Sequence, residues 1–304
     1  MKTESIMTKP THDFKVEKKE DAVIVSRSFK RHGAQKTDAQ NPLWVLLWSD
    51  RHWDNPHSPH DRMIAQLEQA KERNAIIVDT GDFFCAMQGK YDPRSNKSSL
   101  REEHKTGDYI DALVETGTKF LSPYRDRFAF MSPGNHELSI RDRRETDMTE
   151  RVVSNLRRGG SQCVKHRYSG YTRFKFTDNK FTKSILMWHT HGYGGGGPVT
   201  KDVIQASRQG NFLDGVDVVV SGHTHDAWIF PVAIRRLNRK NKIESLERLH
   251  IKVPSNKDMW GCDSWEDLKG MPPKPVGAMW LKFWYNTKHE VMQCDAERVR
   301  TEFD

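Results

Sequence analysis

The chain sets short, almost wholly apolar runs among longer polar stretches, and the residues that close those runs are alike in type. Leu43-Trp44-Val45-Leu46-Leu47-Trp48 ends in Ser49-Asp50-Arg51-His52. Residues 75–78 lead to Gly81-Asp82, and residues 128–131 to Pro133-Gly134-Asn135-His136-Glu137. Residues 184–188 lead to His189, and residues 216–220 to Gly222-His223-Thr224-His225. A short run that is apolar at every position predicts a strand buried on both faces. Between the first two runs, Met63, Ile64, Leu67 and Ala70 recur at helical spacing, so strand, helix and strand read as a βαβ unit of a parallel sheet. Such sheets gather functional groups beyond the carboxyl ends of their strands. All five polar clusters fall at such ends.

The rest of the chain has a different texture. Residues 1–40 are polar with one apolar patch at 22–25, and predict a flexible or loosely docked extension with one edge strand. Residues 41–304 read as one domain. Within it, residues 86–126 are polar first and helical later, an insertion over the site entrance. Residues 227–234, 248–253, 278–285 and 291–294 predict successive strands of a second sheet packed on the first. There are no internal repeats or low-complexity tracts.

Composition narrows the partners. At 304 residues the chain can bury a substantial core. A net charge of +8, with 30% charged residues, favours partners that carry phosphate. The cysteines Cys85, Cys163, Cys262 and Cys294 lie far apart with no C-x-x-C pair. That spacing excludes a zinc ribbon and a disulfide framework, and points to a reducing compartment. Residues 1–21 lack the apolar core of a signal peptide, and no apolar run approaches the roughly 20 residues of a membrane span. The expectation is a cytoplasmic protein without membrane contact.

The five clusters have the chemistry of a metal centre, because imidazole, carboxylate and amide oxygen suit divalent ions of intermediate hardness. Asp50 and His52 are two apart, so a tight turn can aim both at one ion. Asp82 can place its carboxylate between two ions, and the preceding glycine permits close backbone approach. Asn135 offers an amide oxygen, and His223 and His225 flank Thr224 so that each can serve one ion. After Trp188 two histidines compete for one role. His189 follows the apolar run directly and is preferred, leaving His191 beside the ligands or against substrate, together with Arg51 and Trp53.

In order and content these segments resemble the calcineurin-like metallophosphoesterase family. The resemblance covers about residues 43–225 and the strands that follow. It implies an α/β (α+β) fold, a four-layer α/β/β/α sandwich of two mixed β-sheets flanked by helices. It implies two divalent ions, Mn²⁺ by family habit, with Fe, Zn, Co or Ni also acceptable to the ligand set. One ion would take Asp50, His52, Asp82 and His225, and the other Asp82, Asn135, His189 and His223. A bridging hydroxide would attack phosphorus, and His136 would stabilise the transition state or protonate the leaving oxygen. The function implied is phosphoester hydrolysis. The basic charge inclines it to a phosphodiesterase or nuclease acting on nucleic acid or a nucleotide. A phosphomonoesterase and a noncatalytic phosphate-binding module are the alternatives. Gly107-Asp108-Tyr109-Ile110-Asp111 imitates the signature of this superfamily's protein phosphatases, but it follows a polar stretch and continues as a helix, with Ala112 where they carry Arg. Gly194 to Gly197 suggests either an anion loop or a flexible connector, and Trp260 either a substrate contact or a core residue.

Overall fold

The apolar runs become strands, but they divide between two sheets. The computed structural model describes residues 13–88, 100–195, 197, 199–237, 240–259 and 268–303. The chain begins with β1 (Phe14–Lys19), β2 (Ala22–Ser28), β3 (Leu43–Trp48), α1 (His60–Glu72) and β4 (Ile76–Asp79). It continues through α2 (Tyr109–Leu121), β5 (Phe128–Met131), α3 (Asn135–Arg144), α4 (Met148–Arg158), β6 (Val164–Lys165), β7 (Ser169–Asp178) and β8 (Phe181–Thr190). It closes with α5 (Val203–Phe212), β9 (Val218–Ser221), β10 (Trp228–Leu237), β11 (Ile243–Lys252), β12 (Met279–Asn286) and β13 (Val291–Arg298).

A six-stranded sheet has the order β13-β12-β3-β4-β5-β6, and a seven-stranded sheet the order β1-β2-β7-β8-β9-β11-β10. Strand alternation explains the layering. From β3 and β4, Val45, Leu47, Ile76 and Val78 face the other sheet and meet Phe174, Met187, Val218 and Ile251 there. The intervening Leu46, Trp48 and Ile77 point the opposite way, into a second cluster with Met63 and Leu67 of α1, Leu113 of α2 and Val152 of α4. Trp188 and Val219 face outward beside Leu213 and Val216 at the end of α5. The result is helices, sheet, sheet and helix, a four-layer arrangement with both sheets mixed. No helix among the described residues is long and apolar enough to cross a membrane.

Two expectations are corrected. Residues 14–28 are not a loose extension: β1 and β2 pair with each other, and β2 lies parallel to β7 along its length. The period-two placement of Val23 and Val25 puts both into the inter-sheet core. The closing strands do not make a sheet of their own. β10 and β11 extend the seven-stranded sheet, whereas β12 pairs with β3 and β13 with β12. Residues 89–99 of the expected insertion lie outside the described residues, as do Trp260, Cys262, Gly196 and Pro198. The helix expected after Gly107 is α2, and its Asp111 pairs with Arg151 at 2.6 Å.

Candidate metal centre

The carboxyl ends of β3, β4 and β5 meet those of β8 and β9, and the turns there are strained in a concerted way. Asp50, His52, Asp82, His223 and His225 all have positive φ, between 44° and 73°. For residues other than glycine this region is sparsely populated, and such strain concentrates at functional sites. The surrounding backbone enforces it. Asp50 N–H donates to the Gly81 carbonyl at 2.8 Å and His52 N–H to that of Asp82 at 3.0 Å. Main-chain donors also aim the carboxylates: His136 N–H reaches Asp82 Oδ1 at 2.9 Å, and His223 N–H reaches Asp50 Oδ2 at 2.8 Å. These approaches are why glycine precedes Asp82, Asn135 and His223. A Cβ on Gly134 would lie 2.0 Å from Asp82 Oδ1, and one on Gly222 would lie 1.8 Å from Ser49 Oγ.

Glu137 had no role in the sequence reading, and the structure gives it one. Its buried carboxylate accepts the N–H groups of Phe84 and Gly134, each at 2.8 Å, and of Asp82 at 3.2 Å. It therefore clamps the β4 turn to the start of α3. Asp54 does the same one turn further out, accepting from Cys85 N–H at 2.5 Å and Ala86 N–H at 2.9 Å. Their positions just after His136 and Trp53 were the only signals for either.

Among the described residues, two of the groups in which donor atoms converge contain the carboxylates, Asp50 with His52 and His225, and Asp82 with His191 and His223. His52 Nε2 and His225 Nε2 face each other at 3.2 Å, and His225 Nε2 is 3.3 Å from Asp50 Oδ1. Asp82 Oδ2 is 3.1 Å from His191 Nε2 and 3.8 Å from His136 Nε2. Asn135 Oδ1 stands 2.8 Å from His223 Nδ1 and 3.1 Å from His191 Nε2. Burial by itself would raise both carboxyls. The imidazoles of His191 and His225 instead hold Asp50 far below the carboxylate range, and those of His191 and His136 do so for Asp82. Burial likewise opposes charge on His191, yet Asp82 and Asp50 push it up to about 9. His52 and His223 go the other way, driven down chiefly by burial.

His189 is not in this constellation. Its Nε2 is 2.9 Å from Ser132 Oγ and 3.2 Å from the Arg167 carbonyl, and its ring stacks on Phe130. Residues 187 and 189 share one face of β8, and His191 continues that spacing one residue past the strand's end, so spacing does not separate the two histidines and depth does. β8 runs on to Thr190, which leaves His189 beside the inter-sheet core and carries His191 to the strand mouth. Arg51 and Trp53 also turn away. The Arg51 guanidinium is fully buried on the carbonyls of Ser49 and Pro254, and Trp53 packs among His60, Phe83 and Phe120. The remaining predicted residues, Asp50, His52, Asp82, Asn135, His136, His223 and His225, are brought together with His191.

These donors suit divalent metal ions. Asp50 Oδ1 is buried and accepts no hydrogen bond among the described residues, although three imidazole nitrogens lie within 4.0 Å of it. Two carboxylates and an amide oxygen facing imidazole nitrogens have more lone pairs than protons, the condition a cation relieves.

A family profile described as calcineurin-like phosphoesterase matches residues 43–227, more than half of the chain. The chain belongs to the calcineurin-like phosphoesterase family. The matched segment runs from β3 through the G-H-T-H turn and so contains both donor groups. No curated protein matches the sequence. Solved structures are similar at low identity. A protein of Streptococcus pneumoniae described as a predicted phosphoesterase is 10% identical over 84% of this chain and 98% of its own, with a TM-score of 0.29. GAP50, described as the anchor in the inner membrane complex of Plasmodium, is 10% identical over 86% and 90%, with a TM-score of 0.39. Vps29 of Chaetomium thermophilum is 9% identical over 84% and 97%, with a TM-score of 0.32.

Proposed function

We propose that this chain is a metal-dependent hydrolase of phosphodiesters, with nucleic acid or a nucleotide as the substrate class. The observation that carries the reading is the convergence of Asp50 Oδ1, Asp82 Oδ2 and the imidazoles of His52, His191, His223 and His225 on one buried, strained set of turns. In this proposal Asp50, His52 and His225 hold one ion, His191, His223 and Asn135 the other, and Asp82 serves both. His191 replaces His189 in that set. Mixed imidazole and carboxylate donors accept Mn²⁺, Fe, Zn, Co or Ni, and Mn²⁺ is the ion we assign. Bound divalent ions supply positive charge to the phosphoryl oxygens and acidify water enough for nucleophilic attack at neutral pH.

The chain's own groups complete the site. His136 Nδ1 lies 2.6 Å from the Cys85 carbonyl, an acceptor that fixes the proton on that nitrogen. Nε2 is therefore the atom that exchanges a proton with the leaving oxygen, from a position 3.8 Å from Asp82 Oδ2. Beside Asn135 a shallow cavity of about 520 Å³ is lined by Leu138, Ser139, Asp142, Arg143 and Tyr168. It offers an open path for an extended ester, and the net charge of +8 favours a polyanion.

The test compares bis-p-nitrophenyl phosphate with p-nitrophenyl phosphate, using metal-stripped protein refilled with Mn²⁺ and Asp82→Asn as the control. Preference for the diester is the predicted result. Preference for the monoester would replace the diester assignment with a nucleotide or small phosphate. Metal binding without turnover of either would overturn hydrolysis in favour of a phosphate-binding role.

A further inference from the structure

The hydrolytic reading makes no use of the sulfur beside the centre. Cys85 follows Asp82 by three residues and is 4% exposed. Its main chain is held on both sides, the N–H by Asp54 Oδ1 and the carbonyl by His136 Nδ1. Asn55 Nδ2 donates to its Sγ at 3.4 Å, a contact that stabilises negative charge on sulfur. Cys85 Sγ and one ring nitrogen each from His52 and His136 lie within 4.8 Å of one another. His52 is 3% exposed, and its Nδ1 has no hydrogen-bond partner among the described residues. The turn is thus rigid, and it presents one thiol and two imidazoles to a common point. An ion drawn into that point would need no rearrangement of the main chain.

A thiolate with two imidazoles is a softer donor set than the carboxylate-rich groups next to it, and it suits thiophilic divalent ions. We propose that Cys85, His52 and His136 form a thiolate–imidazole subsite for Zn²⁺, Cd²⁺ or Co²⁺, and that filling it inhibits hydrolysis. Binding transfers the thiol proton to solvent and joins the thiolate to the ion, with no change in oxidation state. Two consequences follow from the shared side chains. An ion held by His136 removes the proton donor assigned above, and an ion held by His52 competes with the one placed at Asp50 and His225. Inhibition rests on the hydrolytic reading; metal binding at the subsite does not.

Cobalt separates these statements. Titrating Co²⁺ into the metal-free full-length chain is expected to produce a thiolate-to-cobalt charge-transfer band in the near ultraviolet. The band is lost in Cys85→Ser and kept in Cys294→Ser. Zinc-edge X-ray absorption of the zinc-loaded wild type, which depends on no variant folding, is expected to show a sulfur neighbour at ~2.3 Å. Zn²⁺ added to Mn²⁺-loaded enzyme is expected to lower diester turnover by ~10-fold or more, the size of effect typical when a site's supporting shell is disturbed. A band of equal strength in Cys85→Ser, or a zinc spectrum with only nitrogen and oxygen neighbours, overturns the subsite. Both spectra are read without substrate, so a chain that hydrolyses nothing still tests the subsite, and a chain without the band can still hydrolyse diesters.

Discussion

The two sheets bring different chemistry to the seam between them. The β3, β4 and β5 ends of the six-stranded sheet carry all the oxygen donors, Asp50, Asp82 and Asn135, together with His52. The β8 and β9 ends of the seven-stranded sheet carry only imidazoles, those of His191, His223 and His225. What this division achieves can be seen by comparing Asp82 with Asp79, three residues earlier. Both are buried. Asp79 receives one N–H from Gly81, its Oδ2 has no partner, and burial pushes it up to about 7. Asp82 meets His191 and His136, and is driven the other way despite the same burial. For Asp79 desolvation outweighs the charges of Arg51 and His191, whereas for Asp82 the imidazoles of His191 and His136 outweigh it. The buried carboxylates stay anionic because His191 and His225 of the second sheet join His136 of the first around them.

The oxygen half is where the comparison breaks most severely. Asp82→Asn removes the carboxylate assigned to both ions and is expected to lower diester turnover by more than ~10³-fold, several kcal/mol of transition-state stabilisation. Near-native turnover would refute that assignment. His136→Ala is expected to keep bound Mn²⁺ and lose ~10²–10⁴-fold on esters with poor leaving groups. The same variant changes p-nitrophenolate release far less, because that leaving group departs without a proton, and equal losses on both would exclude proton donation. Glu137→Gln tests the clamp beneath the oxygen half. Its loss is expected to be ~10–100-fold in metal affinity, read by competition with a chelator, without loss of fold.

The smallest effect belongs to the seven-stranded sheet and concerns stability. His250 of β11 is buried, neither ring nitrogen has a hydrogen-bond partner among the described residues, and burial, then Arg248, lowers it to about 4. The unfolded chain, with histidine near ~6.5, takes up the proton first as pH falls. The contribution of His250 to stability is therefore constant above that value and is lost between about 6.5 and 4. Thermal melts of metal-free protein are expected to show His250→Leu gaining on the wild type across that window. A gap independent of pH would mean that His250 is not buried neutral.

The strands and turns that form the centre were legible because each lies within a few residues of a continuous apolar run, and strand ends in such sheets are predictable places for function. His191 was not, since it and His189 share a period-two spacing and only where β8 ends decides between them. Arg51 and Trp53 show the opposite failure. A polar or aromatic residue next to a ligand reads as part of the site, yet these two turn back to stitch the β3 end to the Pro254 carbonyl and to fill the helix-side core. Glu137 and Asp54 act through main-chain N–H groups, which leave no spacing to read. The closing strands could be found by pattern, but their distribution between sheets depends on long-range pairing such as that of β12 with β3.

The most direct test of a centre shared between the sheets is a count of Mn²⁺ per chain after equilibrium dialysis, on wild type, His191→Ala and His189→Ala. Two ions in wild type, one or none in His191→Ala and two in His189→Ala are the predicted result. A wild type that binds fewer than two, or a loss confined to His189→Ala, would contradict it.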